Sequence, residues 1–418
     1  MIFRDLAALA CSGALLTCSV SMHAARADDA LELSGEARAG YWSSDRALTG
    51  DDHVPAVGLW LKGDFRYDED WSARFEGIVS DTPVRADGPD ADIRRAYIRW
   101  GGSADWDVRA GRQIVAWGRS DFLAPTDNLG SWDYTALHAD DNDQRQGAFM
   151  VRAVRWIEDY RFEAVWLPER RPNVYPLPQT LRTVVDPETG SQWRGDQFAV
   201  KLDEYGREVD WSVSWFHGMD RTFSLTPDTA PESGKAFESL YPMVDVVGLD
   251  AATTLGEVGL RGEIAYTHVG DAAETNLVRR SQLQLQIGTE LRPFSGVTMN
   301  LSYLGRYVTD FRDPGSLSPP LDQLAVAMQA LWFQQDRYQN GGAIRLATSA
   351  LNDTLKAELS TLFLTPTGEG TTRVKATYLV SDNFKIIGGI NWFWGPETSY
   401  FGSISETSGA YFEARYTF

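Results

Sequence analysis

Apolar and polar residues alternate with a period of two through many separate segments of this chain. From Leu59 to Tyr67, one face would carry Leu59, Leu61, Gly63, Phe65 and Tyr67, and the other Trp60, Lys62, Asp64 and Arg66. Trp71, Ala73, Phe75 and Val79 alternate with Ser72, Arg74 and Glu76. Between Ser281 and Arg292, Leu283, Leu285, Ile287 and Leu291 alternate with Gln282, Gln284, Gln286 and Glu290. Val297, Met299, Leu301 and Tyr303 then interleave with Thr298, Asn300 and Ser302, and Val374, Ala376 and Tyr378 oppose Arg373, Lys375 and Thr377. A helical period cannot gather these sets onto single faces, whereas a strand does so automatically. The pattern predicts an all-β protein.

A soluble sandwich and a transmembrane barrel both alternate, and connection lengths separate them. Short turns fall at Asp68 to Asp70, Gly101 to Ala104, Ile157 to Asp159, Glu204 to Arg207, Gly256, Pro293 to Gly296, Asn352-Asp353 and Ser381 to Asn383. Between them run long excursions, among them Glu169 to Gly195, Gly218 to Pro242 and Thr309 to Asn340. Strict short-long alternation is expected of an antiparallel up-and-down barrel with short turns on one side of a membrane and long loops on the other. It predicts about 18 strands with both termini on the short-turn side. Sixteen is the alternative, because Leu321 to Gln335 reads either as a helix within a loop or as a further strand. Aromatic residues at predicted strand ends (Tyr41-Trp42, Tyr67, Trp71, Trp100, Trp106, Trp211, Trp215, Trp392, Trp394) suit a lipid headgroup girdle.

The N-terminus reads as a cleaved export signal over residues 1–27. Arg4 precedes the apolar stretch Leu6 to Val20, and Ala25-Arg26-Ala27 supplies the small residues a signal peptidase accepts before Asp28, although Asp5 departs from the usual basic start. Both cysteines, Cys11 and Cys18, fall in this piece, so residues 28–418, read as one barrel domain, carry no thiol. Leu15-Leu16-Thr17-Cys18 is a weak lipoprotein motif, since Thr17 is a poor residue before a lipidated cysteine. No run of about 18 apolar residues follows the signal, so spanning helices are excluded and a closed barrel is the remaining route into a membrane. The net charge of −19 becomes one more negative when the signal leaves with Arg4, Asp5 and Arg26, which repels nucleic acid.

The last segment, AYFEARYTF, places Phe412, Tyr416 and Phe418 on one face. It resembles the C-terminal strand of Gram-negative outer-membrane proteins, where a final aromatic is an assembly signal read by the barrel assembly machinery; Ala414 is smaller than the residue often found at that register. The elements GRQ, WG and PTD in the stretch Gly111 to Tyr134, with Trp166-Leu167-Pro168 opening the fourth loop, resemble a broad, poorly characterised class of proteobacterial porin-like proteins. The resemblance implies insertion into outer-membrane lipid; whether barrels act singly or as a homotrimer stays open.

In porins the loop resembling Trp117 to Arg145 folds inward and narrows the channel, facing arginines on the opposite wall. Here strands two to five present Lys62, Arg66, Arg74, Arg95, Arg99 and Arg109 on the inferred lumen face, with Asp64 and Glu76 among them. The loop carries Asp121, Asp127, Asp133, Asp140, Asp141 and Asp143. Charge separated across a water-filled constriction would sort ions and orient polar solutes. The same charges would serve equally to solvate the loop and brace the wall. Arg109 and Arg112 cannot both face inward on a regular strand, and a bulge centred on Gly111 would resolve this. Pro125-Thr126-Asp127-Asn128 reads as a turn.

Chemistry contributes little. His138 beside Asp140 and Asp141 has no nucleophile pattern with it, and Asp140-Asp141-Asn142-Asp143 lacks the spaced loop and glycine of a calcium site. No enzyme, cofactor or metal is expected. The leading expectation is passive diffusion of small hydrophilic solutes or ions, because Gln282, Gln284, Gln286, Arg292, Asn300, Arg306, Lys356 and Glu358 give the lumen a hydrophilic wall of mixed sign. The alternative is a dedicated conduit or receptor for a larger substrate such as polysaccharide or lipid, which would want more apolar walls.

Overall fold

The computed structural model describes residues 31–418 except 49, 82–89, 104, 121, 188–189, 207, 229–233 and 271–276. The expected signal peptide, the second long connection and Asp121 therefore lie outside the described residues.

Eighteen strands form one sheet. They are β1 (Leu31–Trp42), β2 (Val54–Arg66), β3 (Trp71–Asp81), β4 (Asp90–Ser103), β5 (Trp106–Gln113), β6 (Ala148–Ile157), β7 (Tyr160–Arg170), β8 (Gln192–Glu204) and β9 (Val209–Met219). The second half comprises β10 (Met243–Leu255), β11 (Val258–Val269), β12 (Gln282–Phe294), β13 (Val297–Val308), β14 (Tyr338–Ala350), β15 (Leu355–Leu364), β16 (Glu369–Leu379), β17 (Phe384–Trp394) and β18 (Gly409–Thr417). Each pairs antiparallel with its chain neighbours, and β1 pairs with β18 from Glu36↔Thr417 to Trp42↔Tyr411, so the sheet closes on itself. Closure leaves no unpaired edge, which is the condition for a sheet to sit in lipid.

The alternation read from the sequence sets the inside and the outside. Along β12, Leu283 and Ile287 are exposed outward, Ile287 by 52%, while Gln282 and Gln286 are buried inward. Val247 and Leu249 on β10 and Ile390 and Trp392 on β17 continue the apolar jacket. Phe412, Tyr416 and Phe418 lie on this outer face. Most girdle aromatics do too, but Trp42 is turned inward, 3% exposed, and stacks on Tyr411 at 6.4 Å. Parity is the reason: Tyr41 takes the outward position, so its neighbour must take the inward one.

Connection lengths alternate as expected with one exception. Residues 365–368 join β15 to β16 in a connection no longer than the longest turns on the other side, Gly368 adopting φ +64. The segment beginning at Leu321 is a helix, Leu321–Leu331, inside the long connection between β13 and β14, so it removes no strand from the count. Trp166-Leu167-Pro168 belongs to β7, which runs on to Arg170 before the fourth loop begins.

Apolar packing appears inside the ring in two ways. At the long-loop end, Leu181, Phe223, Leu225, Leu277, Met328, Trp332, Tyr400 and Ile404 form one buried cluster drawn from five different loops. Two further clusters join the third loop to the wall: Trp117 and Leu129 pack with Met150, Val165, Phe216 and Val246, and Ala139 packs with Trp42, Ile387 and Tyr411.

Candidate functional site

The third loop, residues 114–147, crosses the lumen. It begins with a displaced strand end. Register runs unbroken through Gly111, from Arg99↔Arg109 to Ala96↔Arg112, so the bulge expected there is absent. Gly111 instead takes φ +130, where an added Cβ would lie 2.3 Å from the Ala96 carbonyl oxygen. With that freedom the Arg112 guanidinium reaches Glu169 (2.8 Å) and the Gly147 carbonyl (3.0 Å), tying both ends of the loop to β7.

The first limb of the loop is held by β10 and β11. Glu263 accepts from the backbone N–H groups of Arg119 (2.5 Å) and Ser120 (2.6 Å) and from Thr126 Oγ1 (2.9 Å). Gly118, at φ +92, permits this approach, since a Cβ there would sit 2.8 Å from both Glu263 oxygens. Arg119 also pairs with Asp250 at 2.5 Å. Asp127, with Thr126 in the expected turn, accepts from Trp117 N (3.1 Å) and Arg145 (2.7 Å). Burial raises the Asp127 carboxyl above its ordinary range despite Arg145. Its hydrogen bonds brace the loop at the margin of the lumen.

The acidic turn is held on the far side of the ring. Asp140 accepts from Arg415 of β18 (2.9 Å) and Lys375 of β16 (3.0 Å); Asp141 pairs with Arg373 of β16, and Asp143 with Arg38 of β1 (2.6 Å). Arg94 donates to the carbonyls of Asn142 (3.0 Å) and Asp143. Burial opposes ionisation of Asp140 and Asp143, but Arg415 and Lys375 beside the first, and Arg38 and Arg415 beside the second, hold both carboxyls below the usual range. β10 and β1 stand nine strands apart in a ring of eighteen, so the two anchor points are on opposite walls. Beside the acidic turn, His138 is buried edge-on against Trp60 of β2 at 5.2 Å, and burial, with Arg38, Arg94 and Arg46 nearby and only Asp143 opposing them, pushes its imidazole down to about 3.

The acidic turn thus meets Arg38, Arg373, Lys375 and Arg415, while the wall of β2 to β5 balances its own charge. Arg74 lies 3.6 Å from Asp64, Arg95 pairs with Glu76, and Asp107 takes Arg99 and Arg109 at 2.8 Å each. Lys62 is in register with Glu76 on the face of buried Trp60, and Arg66 stands exposed at the short-turn end. Asp133 caps its own turn, accepting from Thr135 N (2.9 Å) and Oγ1 (2.6 Å). Arg94 was not expected inside. A bulge skips it between Glu76↔Arg95 and Gly77↔Ile93, so adjacent arginines share Glu76, Arg94 at 3.1 Å. The repeated RR in an otherwise alternating segment was the available signal.

On the side of β9 to β16 the loop leaves a cavity of about 910 Å³. Arg345, Glu358, Arg373 and Lys375 line one flank, with Asp140 and Asp141 of the loop beside them. Arg345 and Glu358 pair at 2.6 Å. Cations of the wall stand in contact with carboxylates of the loop and of the wall itself, so this flank carries both signs with little net charge.

Several solved structures share this architecture. OccK11 (OpdR) from Pseudomonas aeruginosa superimposes with a TM-score of 0.55 at 10% identity, covering 93% of this chain and 95% of that one. OccAB3 from Acinetobacter baumannii gives 0.56 at 10% identity, covering 93% and 98%. OccK5 (OpdH) from Pseudomonas aeruginosa gives 0.55 at 11%, with the same 93% and 98%. At such identity the likeness is one of fold. No curated protein matches the chain in sequence. Residues 36–418, nearly the whole ring from β1 to the terminal phenylalanine, match one family description, and the chain accordingly belongs to the family described as "Protein of unknown function (DUF1302)".

Proposed function

We propose that this protein is an outer-membrane channel for passive diffusion of small hydrophilic solutes or ions. One observation carries the reading: a closed barrel, apolar outside, encloses a cavity of about 910 Å³ whose walls bear charges of both signs. Apolar jackets are required by lipid, but a charged interior of that size is required only by water and what moves in it. The fold of the similar structures supports the same class. Lys62, Arg66, Arg74, Arg95, Arg99 and Arg109 tune the potential of the β2 to β5 wall, and the loop spanning the ring sets the width of the passage. Phe412, Tyr416 and Phe418 serve assembly at the seam that β18 closes.

Planar-bilayer recording tests this. Ohmic, open single-channel steps are the expected result, with a salt-gradient reversal potential that reports ion preference. A barrel that is inserted yet electrically silent, and that retains a defined ligand, would favour the dedicated conduit or receptor instead. The apolar cluster joining five loops over the mouth is the observation on that side.

A further inference from the structure

One flank of the cavity differs from the rest. Leu123 of the third loop, Leu304 of β13, Leu362 and Leu364 of β15, and Phe333 and Phe401 of the loops before β14 and β18 line a cleft of about 80 Å³. Leu123, Gln284 and Leu362 line both this cleft and the large cavity, so the two join. Leu123 is 40% exposed in the first limb of the loop, between Ser120 and Thr126, which are both held by Glu263. An apolar side chain left open inside a lumen forgoes the stabilisation that burial would bring.

A second observation is independent of the first. Gln286 Oε1 and Gln339 Nε2, both in the wall of the cleft, have no hydrogen-bond partner among the described residues, although the two glutamines are only 1% and 4% exposed. Gln286 already donates through Nε2 to Ser302 Oγ at 3.0 Å, which leaves its oxygen as a free acceptor. Gln286 is in register with Leu304 and Gln339 with Arg306, so the two amides flank β13 on either side of the leucine. A buried amide atom without a partner has given up water and gained nothing in its place. One acceptor and one donor among aliphatic and aromatic walls match a hydroxyl-bearing molecule better than an ion. No carboxylate lines the cleft among the described residues, and Arg306 directs Nη1 at the carbonyls of Trp332 (2.9 Å) and Phe333.

We propose that this cleft is a subsite for the apolar end of an uncharged, hydroxyl-bearing molecule whose polar body occupies the adjoining cavity; the proposal rests on reading the lumen as a solute path. Cavities of about 150 Å³ hold a whole benzene ring, so this smaller cleft takes an alkyl end or the edge of a ring while the remainder stays in the wide space. The cleft selects on shape and apolar area, its two unpaired amide atoms take the hydroxyl next to the apolar end, and the charged cavity supplies a wet seat for the remaining hydroxyls.

Phenyl β-D-glucoside and methyl β-D-glucoside share the polar body and differ in the group that enters the cleft. Their binding is measured by equilibrium dialysis against the full chain in lipid nanodiscs, with empty discs subtracted, and their interruption of ion current is recorded in planar bilayers. The phenyl compound is expected to bind at least about tenfold more tightly. Leu123→Ser and Leu362→Ser, which make the cleft polar, are expected to reduce that preference to about threefold or less, and Leu123→Met to keep it. Equal binding of the two glucosides, or a preference untouched by both damaging variants, overturns the subsite. A phenyl preference in dialysis without any ion current retains the subsite and removes the channel reading; ohmic current with equal binding does the reverse.

Discussion

Asp140 of the third loop and Arg415 of the last strand lie 2.9 Å apart, although 275 residues separate them in the chain. Arg415 is 3% exposed on its side chain and also pairs with Glu413, while its strand forms the seam with β1. The loop therefore reaches its final position only against a wall completed by the last residues of the chain. Closure of the barrel and docking of the loop share one set of charges. Replacing Asp140 and Asp143 together by asparagine should free the acidic turn, because the amides keep the shape but remove charge-assisted bonds. Single-channel records should then show larger and noisier steps than the wild type, with the barrel still heat-resistant. Records of unchanged amplitude and noise would mean that the carbonyl contacts from Arg94 hold the turn without the carboxylates.

Glu263→Gln tests the other anchor. Three donors now converge on one carboxylate, and an amide NH₂ turned toward them would meet donors with a donor. Undocking of the first limb should become easier by about 1–3 kcal/mol. Proteolysis near Arg119 should accelerate by about ten- to a hundredfold, while β10 and β11 stay protected. Equal cleavage in both proteins would place the hold in the apolar contacts of Trp117 and Leu129.

Acid should loosen the acidic turn, and the sign follows from His138. Its imidazole is pushed from an ordinary 6.5 down to about 3 by burial, so the undocked loop takes up a proton that the docked loop refuses. Docking stability is complete above pH 6.5 and falls by about 1.4 kcal/mol per pH unit below it, until the docked group itself protonates. The depressed Asp140 and Asp143 carboxyls add losses in the same direction at lower pH, as acid neutralises them. Hydrogen exchange of residues 136–144, corrected for intrinsic rates, should show protection dropping from pH 7 to 5, and His138→Gln should flatten that drop. A wild-type profile as flat as that of the variant would contradict the burial of His138.

Ion preference should respond to two walls unequally. Arg95→Gln with Arg99→Gln leaves Glu76 and Asp107 with Arg94 and Arg109 as remaining partners, so a modest shift toward cations is expected. Arg373→Gln with Lys375→Gln removes cations that line the large cavity, takes from Asp141 its Arg373 partner and leaves Asp140 with Arg415, and should shift selectivity further. Reversal potentials under a salt gradient measure both. If the first pair changes nothing, those arginines brace the wall; if the second changes nothing, current passes elsewhere.

Much of the barrel was written in short-range pattern. Period-two alternation in β2, β3, β12, β13 and β16 fixed which side chains face lipid, because a pleated strand offers no other choice once one face must be apolar. The terminal aromatics and most turns were equally local. Departures from alternation were the places where local reading failed. The adjacent pair Arg94-Arg95 enters the lumen through a bulge that no period announces, and at Gly111 the backbone bends where a bulge was expected.

By itself the sequence determined a closed, two-sided ribbon of about 18 strands with a charged interior, since alternation and connection length depend only on neighbours along the chain. Which charges meet was decided in three dimensions. The loop acids could pair with any inward cation within reach, and ring closure, not spacing, brought Arg38, Arg373, Lys375 and Arg415 to Asp140, Asp141 and Asp143. Glu263 and Asp250 were unmarked polar positions on regular strands until the loop lay across them. Electrostatic partnership is set by distance through space, and in a barrel that distance is fixed only when the last strand meets the first.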